Sequence, residues 1–306
     1  MLATTATSEY QFELLNEFTG PVFARLADLK YRALYRNLGQ EAALFAIGAS
    51  YHNEPIGAAI AEMYADTPPT ILDLQVASAF QGAGVGLDLL TRMEKTVRDR
   101  GRNEIRIYYR SDSPSAPALE RMLARRNWPA PQVAEYLFAA DQRIVNAPWM
   151  TRYKLPPSFT VFPWTALTAD ERWLIEERQR LLKWVPWAVW PLDFEPLEPR
   201  TSLGLRHAGE VVGWVITRLT APDTLAYEAL FVSPEYEFLS RGVALLAEAI
   251  RRQYALGVHK GAWAVLADNA PMLKFVERRM APYLTARAEL RRSIKPLTGS
   301  GLAAAA

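Results

Sequence analysis

The sequence contains no cysteine and only three histidines, which excludes several kinds of chemistry at once. Without cysteine there can be no disulfide, no thiolate metal site and no cysteine nucleophile. The histidines His52, His207 and His259 stand far apart in loop-like contexts, which supports neither a histidine metal site nor a Ser-His-Asp triad. The sequence therefore predicts no metal centre.

A charge excess and long apolar runs are also missing. The 35 basic and 33 acidic residues leave a net charge of +2, which creates no basic field for nucleic acid. No run reaches the roughly 18 apolar residues of a membrane span, and the N-terminus lacks the pattern of a signal peptide. We therefore predict a cytoplasmic protein that binds no nucleic acid and does not span a membrane. Its 306 residues, 50% of them hydrophobic, suit two domains with full cores.

What the sequence does contain is a glycine-rich turn, Gln81-Gly82-Ala83-Gly84-Val85-Gly86. It stands between a strand-like run and a helix-like run. The first N–H groups of such a helix lack intrahelical partners and lie at the positive end of the helix dipole. Glycines also let the backbone approach a ligand without a Cβ in the way. The turn therefore predicts a phosphate-binding loop.

Three kinds of nucleotide-binding loop place glycines at such a turn. A Walker loop continues with Lys and Ser or Thr, whereas this turn continues with Leu and Asp. A dinucleotide fingerprint has a different glycine spacing and an acidic residue after the next strand, which here ends in Tyr109 and Arg110. The spacing Gln-x-x-Gly-x-Gly, with Val76 five residues before Gln81, resembles motif A of the GNAT superfamily of acyl-CoA-dependent N-acyltransferases.

The chain also resembles itself. At a constant shift of 156 positions, segment 53–57 matches 209–213, and the register holds without an insertion through the following strands. Such a repeat indicates a duplicated domain. We predict an α/β (α+β) protein with two GNAT-like domains in tandem, at residues 8–145 and 156–295, each a mixed central sheet flanked by helices.

The two copies differ at the turn. The second copy reads Glu237-Phe238-Leu239-Ser240, with one surviving glycine at Gly242. A negative charge, added bulk and a lost glycine all oppose phosphate binding. The first copy is therefore expected to hold acyl-CoA, and the second to act as a scaffold, a substrate platform or a built-in dimer partner.

Hydrophobic periodicity places the secondary structure around the turn. For the first copy it predicts strands at 10–18, 42–51, 56–64, 71–76, 104–110 and 132–139 and helices at 21–38, 87–100 and 116–126. The second copy repeats this order, and 148–157 is predicted to be a linker. A segment without a counterpart, 183–194, holds three tryptophans and two prolines. It is predicted to be either an interdomain or core-lining loop, or the wall of a channel for a long acyl chain or an apolar peptide.

The resemblance implies which residues hold the cosubstrate. The pantetheine arm would pair with the main chain of Leu74, Gln75 and Val76. The pyrophosphate would lie on Gln81, Gly82, Ala83, Gly84, Val85 and Gly86, and Ser115 would contact the cofactor from the start of a helix.

The resemblance also implies direct attack of an amine on the thioester, with a carboxylate or a water that it orients as base. Asp73 is the first candidate and Glu62 the second. The family's general acid is a tyrosine on the helix after the fifth strand, but the alignment places Leu123 there. The thiolate would then leave unaided, or Tyr108 or Tyr109 would donate the proton.

Three functions remain open. The chain is expected to be an N-acyltransferase, most simply an N-acetyltransferase, that moves an acyl group from acetyl-CoA or another acyl-CoA to an amine-bearing small molecule or peptide. The second interpretation is fatty acyl transfer from a long-chain thioester. The third is a non-catalytic tandem GNAT that binds acyl-CoA. Monomer and homodimer are both compatible with the fused copies.

Overall fold

The computed structural model describes residues 10–237 and 240–297. Within them the chain forms two compact units. Unit 1 contains the chain up to Ala134 and again from Leu290, and unit 2 is the continuous stretch Glu135–Glu289. Each unit has a mixed sheet covered by helices, as the sequence predicted.

The strands of the described residues are β1 (Gln11–Leu15), β2 (Leu44–Tyr51), β3 (Glu54–Glu62), β4 (Thr70–Val76), β5 (Glu104–Arg110), β6 (Gln132–Asp141), β7 (Phe159–Pro163), β8 (Leu203–His207), β9 (Glu210–Ala221), β10 (Thr224–Val232), β11 (Lys260–Leu266) and β12 (Leu284–Pro296). The α-helices are α1 (Gly20–Phe23), α2 (Arg32–Arg36), α3 (Val85–Asp99), α4 (Ala116–Arg125), α5 (Trp149–Arg152), α6 (Ala169–Leu182), α7 (Pro234–Glu237), α8 (Arg241–Ala255) and α9 (Ala270–Phe275). Short 3-10 turns lie at Leu29–Tyr31, Ser78–Phe80, Gln142–Asn146, Trp164–Ala166, Trp187–Val189 and Ala281–Tyr283, and a π-helical turn at Val276–Met280.

In unit 1, strands β1 to β4 form an antiparallel series in chain order. The β2–β3 hairpin turns at His52 and Asn53, which both have positive φ, as a tight hairpin turn requires. Strand β5 then lies parallel to β4. The last strand of unit 1 is Leu290–Pro296, the second part of β12, which pairs antiparallel with β5.

A buried ion network holds this last strand in unit 1. Glu94 on α3 is 1% exposed and accepts hydrogen bonds from Arg126, from the indole of Trp128 and from Lys295 of β12. Lys295 also donates to the carbonyl of Arg126. Burial alone would raise the pKa of Glu94, but the hydrogen bonds from Arg126, Lys295 and Trp128 outweigh it, and the pKa lies below its usual value.

Unit 2 repeats the same order of strands. Strands β7, β8, β9 and β10 are antiparallel neighbours in series. Strand β11 lies parallel to β10, and Glu135–Asp141, the second part of β6, pairs antiparallel with β11. The sixth strand of each unit therefore comes from the other half of the repeat. The compact units do not coincide with the halves 8–145 and 156–295, because β6 and β12 are exchanged.

Two local predictions were wrong. The predicted helix at 21–38 is two short helices, α1 and α2, separated by Asp28 with an extended backbone and by a 3-10 turn. The predicted linker at 148–157 contains α5, whose residues Trp149 and Met150 are each 2% exposed. Tertiary packing overrode the sequence pattern in both places.

No helix of the described residues is long and apolar enough to cross a membrane.

Candidate functional site

The site in unit 1 begins where β4 and β5 separate. They pair only at Thr70 with Arg106 and Ile71 with Ile107. Beyond Ile71, β4 continues to Val76 with a partner on one side only, strand β3. The ladder also skips Leu72 on β4, which is a bulge. The residues Leu74, Gln75 and Val76 therefore line a gap in the sheet, and their backbone groups on the β5 side are not used by that strand.

The glycine turn lies at the end of this open strand. Gly82 and Gly84 have left-handed φ values of +83° and +89°, and a Cβ built on either would have nothing within 4 Å. Gly84 is the N-cap of α3, and no side chain caps the helix. The first N–H groups of a 15-residue helix are thus left to an outside acceptor, beside a backbone that a ligand can approach freely.

Three contacts fix the shape of the turn. Phe80 packs against the rings of Tyr51 and Tyr10, at centroid distances of 5.7 and 6.2 Å. The amide of Gln81 donates to the Val76 carbonyl at 3.1 Å, which ties the turn to the end of β4.

Behind the turn, a Cβ on Gly86 would lie 2.9 Å from Sδ of Met122. A Cβ here would force the flexible end of the Met122 side chain to move, so glycine lets α3 lie against α4 without that adjustment. Ser115 stands at the start of α4, about two helical turns or roughly 10 Å from Met122. Its hydroxyl lies 2.9 Å from that of Ser113.

Asp73 is the most deeply buried of the candidate catalytic groups, at 6% exposure. Its carboxylate accepts from the backbone N–H of Asp28 at 3.2 Å and from the amide of Gln75 at 2.9 Å. Burial raises its pKa above the usual value, although these two hydrogen bonds oppose the rise. The buried hydroxyl of Tyr35 has no partner among the described residues, and its pKa is raised by burial and then by the charge of Asp73.

Glu62 lies where β4 and β5 are still paired, whereas Asp73 lies beyond the point where they separate. Glu62 pairs with Thr70 at the start of β4, whereas Gly57 pairs with Val76 at its end. Gly57 and Glu62 are five residue steps apart on β3, which corresponds to about 17 Å. Tyr108 lies half-buried on β5, with the guanidinium of Arg106 at 5.6 Å from its ring.

Tyr109 belongs to a network that the sequence did not reveal. Its hydroxyl donates to Glu120 on α4 at 2.7 Å, and Arg291 of β12 donates to the same carboxylate oxygen at 2.8 Å. Burial and then the bond to Glu120 raise the pKa of Tyr109. The phenol therefore stays protonated at neutral pH. Arg291 is far from Glu120 in sequence, so no local pattern could have paired them.

Leu123, the residue aligned with the family's tyrosine, is 1% exposed and belongs to the hydrophobic core of unit 1. It serves packing and cannot donate a proton. The described site therefore has no tyrosine at the position of the family's general acid.

In unit 2 the sheet opens between the corresponding strands, but the turn that follows has a different sequence from the turn of unit 1. Strands β10 and β11 pair from Thr224 to Tyr227 and then separate. Ser240 stands where unit 1 has Gly84 and keeps the left-handed conformation, with φ of +57°. Phe238 and Leu239, which the sequence predicts to obstruct phosphate binding, lie outside the described residues.

The gap between two parallel strands and the glycine turn that follows are shared with a known family. The chain belongs to the acetyltransferase (GNAT) family, whose model matches residues 10–122 and 159–281. The two matched regions make it a tandem GNAT protein, as the sequence resemblance predicted, and proteins of this family use acyl-CoA as cosubstrate.

Two solved structures are similar in fold over nearly the whole chain. A tandem GNAT protein from the clavulanic acid biosynthesis pathway is similar with a TM-score of 0.68 and 13% identity, over 95% of this chain and 100% of that one. A GCN5-related N-acetyltransferase from Sphaerobacter thermophilus is similar with a TM-score of 0.60 and 18% identity, over 96% and 98%. At such identities the likeness extends to the fold alone. No curated protein sequence matches the chain.

Among residues 10–237 and 240–297, no group of three or more His, Cys, Asp or Glu side chains could hold a metal ion.

Proposed function

We propose that unit 1 transfers an acyl group from acyl-CoA, most simply an acetyl group, to a primary amine of a small molecule or peptide. The observation that carries this proposal is the turn at 81–86. Two left-handed glycines with open space at their Cβ positions stand before an uncapped helix of 15 residues, next to an unpaired strand edge. The residues present fit a pyrophosphate with an extended arm.

In this proposal the backbone of Gln81–Gly86 holds the pyrophosphate, and Leu74, Gln75 and Val76 offer main-chain groups to the arm. Ser115 is the additional contact from α4. When bound, acyl-CoA supplies an activated acyl group as a thioester. The chain itself contributes positioning and the polarisation of a carbonyl by a fixed N–H group.

Asp73 is proposed to accept the proton of the attacking amine, directly or through a water. A carboxylate with a raised pKa is a stronger base than one on the surface, and this one lies on the open strand itself. Glu62 is the less supported candidate, because it pairs with Thr70, where β4 and β5 have not yet separated.

Tyr109 is proposed to protonate the departing thiolate in place of the missing tyrosine. The bond from Arg291 to Glu120 fixes the carboxylate that holds the phenol. Tyr108 has no such support from neighbouring groups among the described residues, so Tyr109 is the better supported donor.

The second candidate function is acyl-CoA binding without catalysis. The observation that favours it is the buried Leu123 at the position of the family's general acid.

Calorimetric titration with CoA, acetyl-CoA and a long-chain acyl-CoA, followed by an assay of thiol release with a panel of primary amines, separates these functions. Transfer predicts binding plus amine-dependent thiol release. Binding without release from any donor and amine would favour the non-catalytic function, and no binding at all would refute both. Whichever acyl-CoA binds more tightly, acetyl-CoA or the long-chain one, indicates the length of the acyl chain that the protein accepts.

A further inference from the structure

Unit 2 contains a cavity of about 770 Å³ in the gap between its separating strands. Its walls include the end of β10 from Tyr227 to Val232, the end of β11 from Trp263 to Leu266, and one face of α8. This volume lies within the range of small-molecule sites. Unit 2 has thus kept the opening that unit 1 offers to a thioester arm, although its turn has changed.

The tryptophan-rich segment 183–194 closes part of this cavity. Trp184, Val189 and Phe194 line it, and the Trp184 ring packs edge-on against Phe231 at 5.2 Å. The sequence predicted either an interdomain or core-lining loop, or the wall of a channel for a long acyl chain or an apolar peptide. In unit 2, Trp184, Val189 and Phe194 pack against the core and also line the cavity. The first copy has no such segment, so this wall is a feature of the second copy alone.

The charge of the lining argues against an anionic ligand. The described lining residues include two acids, Glu135 and Glu228, and no Lys, Arg or His. Arg218 compensates the charge of Glu228, but no base among the described residues compensates Glu135, so the phosphates of CoA would meet repulsion there. Ser240 in place of a glycine further restricts the backbone where a phosphate would have to approach.

Several polar groups of the lining are already engaged within unit 2. Glu228 accepts two hydrogen bonds from Arg218, and Gln253 accepts one from the hydroxyl of Tyr227. Glu135 has no hydrogen-bond or ion-pair partner among the described residues. It is half-buried, and burial raises its pKa. The indole N–H groups of Trp184 and Trp263, also in the lining, have no partner in the described part of the chain either, but they are neutral donors, so Glu135 is the unpartnered charged group that a ligand could satisfy.

An unpartnered carboxylate in an aromatic cavity favours one kind of ligand. The wall of the cavity contains aromatic rings, among them Trp184, Phe231, Trp263 and Phe275. These rings provide apolar contact and π faces for a cation. A carboxylate attracts an ammonium group at the same time. We propose that this cavity binds an organic amine with an apolar or aromatic body, held by its ammonium group at Glu135. The site lies within unit 2 and does not rest on acyl transfer by unit 1.

The test uses three probes with the same body and different head groups: 4-phenylbutylamine, 4-phenylbutanol and 4-phenylbutyrate, each titrated calorimetrically into the full chain. We expect the amine to bind at least tenfold more tightly than the alcohol, and the carboxylate to bind most weakly. Glu135→Gln should weaken amine binding about tenfold and leave alcohol binding unchanged. Glu135→Asp, which keeps the charge, should retain the preference for the amine.

The matched control is Glu210→Gln, the same change at an exposed position of unit 2 outside the cavity, which should alter nothing. Gly84→Glu in unit 1 should also leave amine binding intact, which separates this site from the acyl-CoA site. The proposal is overturned if none of the probes binds, if the alcohol binds as well as the amine, or if Glu135→Gln and Glu210→Gln have the same effect.

Discussion

Gly84→Glu tests the phosphate-binding turn most directly. The substitution places a side chain at a left-handed position, with φ of +89°, which costs about 1–2 kcal/mol of stability. No steric clash adds to this cost, because nothing lies within 4 Å of the new Cβ. The protein should therefore stay folded, with a modest loss of stability measurable by urea unfolding.

The effect on cosubstrate binding should be much larger. A carboxylate about 4 Å from a phosphate charge costs on the order of 4 kcal/mol at an effective dielectric constant of 20. The turn is exposed, so solvent and side-chain movement reduce this to about 2–4 kcal/mol. The dissociation constant of CoA should thus rise about 30-fold to 1,000-fold in calorimetric titration.

Gly101 supplies a matched control at the opposite end of the same helix. Its φ is +78° and its Cβ position is equally open, but it follows the C-terminus of α3, about 22 Å from Gly84 along the 15-residue helix. Gly101→Glu should show the same loss of stability and unchanged CoA affinity. The assignment of the turn is refuted if Gly84→Glu binds CoA like the parent, or if Gly101→Glu loses as much affinity.

Four further substitutions test the proton transfers and the anchoring of the last strand. Asp73→Asn should lower kcat at least 100-fold. The melting temperature should stay the same or rise, because the raised pKa means that the ionised form of Asp73 opposes folding as pH climbs through that pKa. A large loss of stability would contradict this reasoning. Tyr109→Phe should lower kcat about tenfold or more without changing CoA affinity, and an unchanged kcat would remove Tyr109 from the mechanism. Glu94→Gln should lower the free energy of unfolding in urea by about 3–5 kcal/mol, and adding Lys295→Met should recover part of this loss. Because the pKa of Glu94 is lowered, its contribution to the free energy of unfolding is complete above the usual glutamate pKa and is lost as pH falls through the folded-state pKa. Additive effects of the two substitutions would show that the ion pair is not coupled.

The turn could be predicted because its information is local. Spacing, glycines and the flanking strand and helix all lie within a short window, and α3 begins at Val85, two residues before the predicted start. The helix predicted at 21–38 failed for the opposite reason. The backbone N–H of Asp28 donates to the buried Asp73 and its side chain caps the next turn, so contacts across the fold break the helix there.

The exchanged strands could not be predicted from the repeat. The duplication places a sixth strand after each copy, and either copy could pair with either strand. Consequently Arg291 was not associated with Tyr109, although the two residues are adjacent in the β5–β12 ladder. The helix pattern follows from the local sequence, whereas the choice of the sixth strand in each unit depends on contacts between residues far apart in the chain.

The same exchange sets an order of assembly during translation. Residues Glu135–Glu289 of unit 2 are synthesised without interruption, but unit 1 has to wait for Leu290–Pro296. At roughly 5–20 residues per second, the ribosome needs on the order of 10–30 seconds to make the intervening stretch. During that time β5 has an unpaired edge, which other chains can bind. The unit that contains the glycine turn is therefore completed last, although the turn itself is synthesised first.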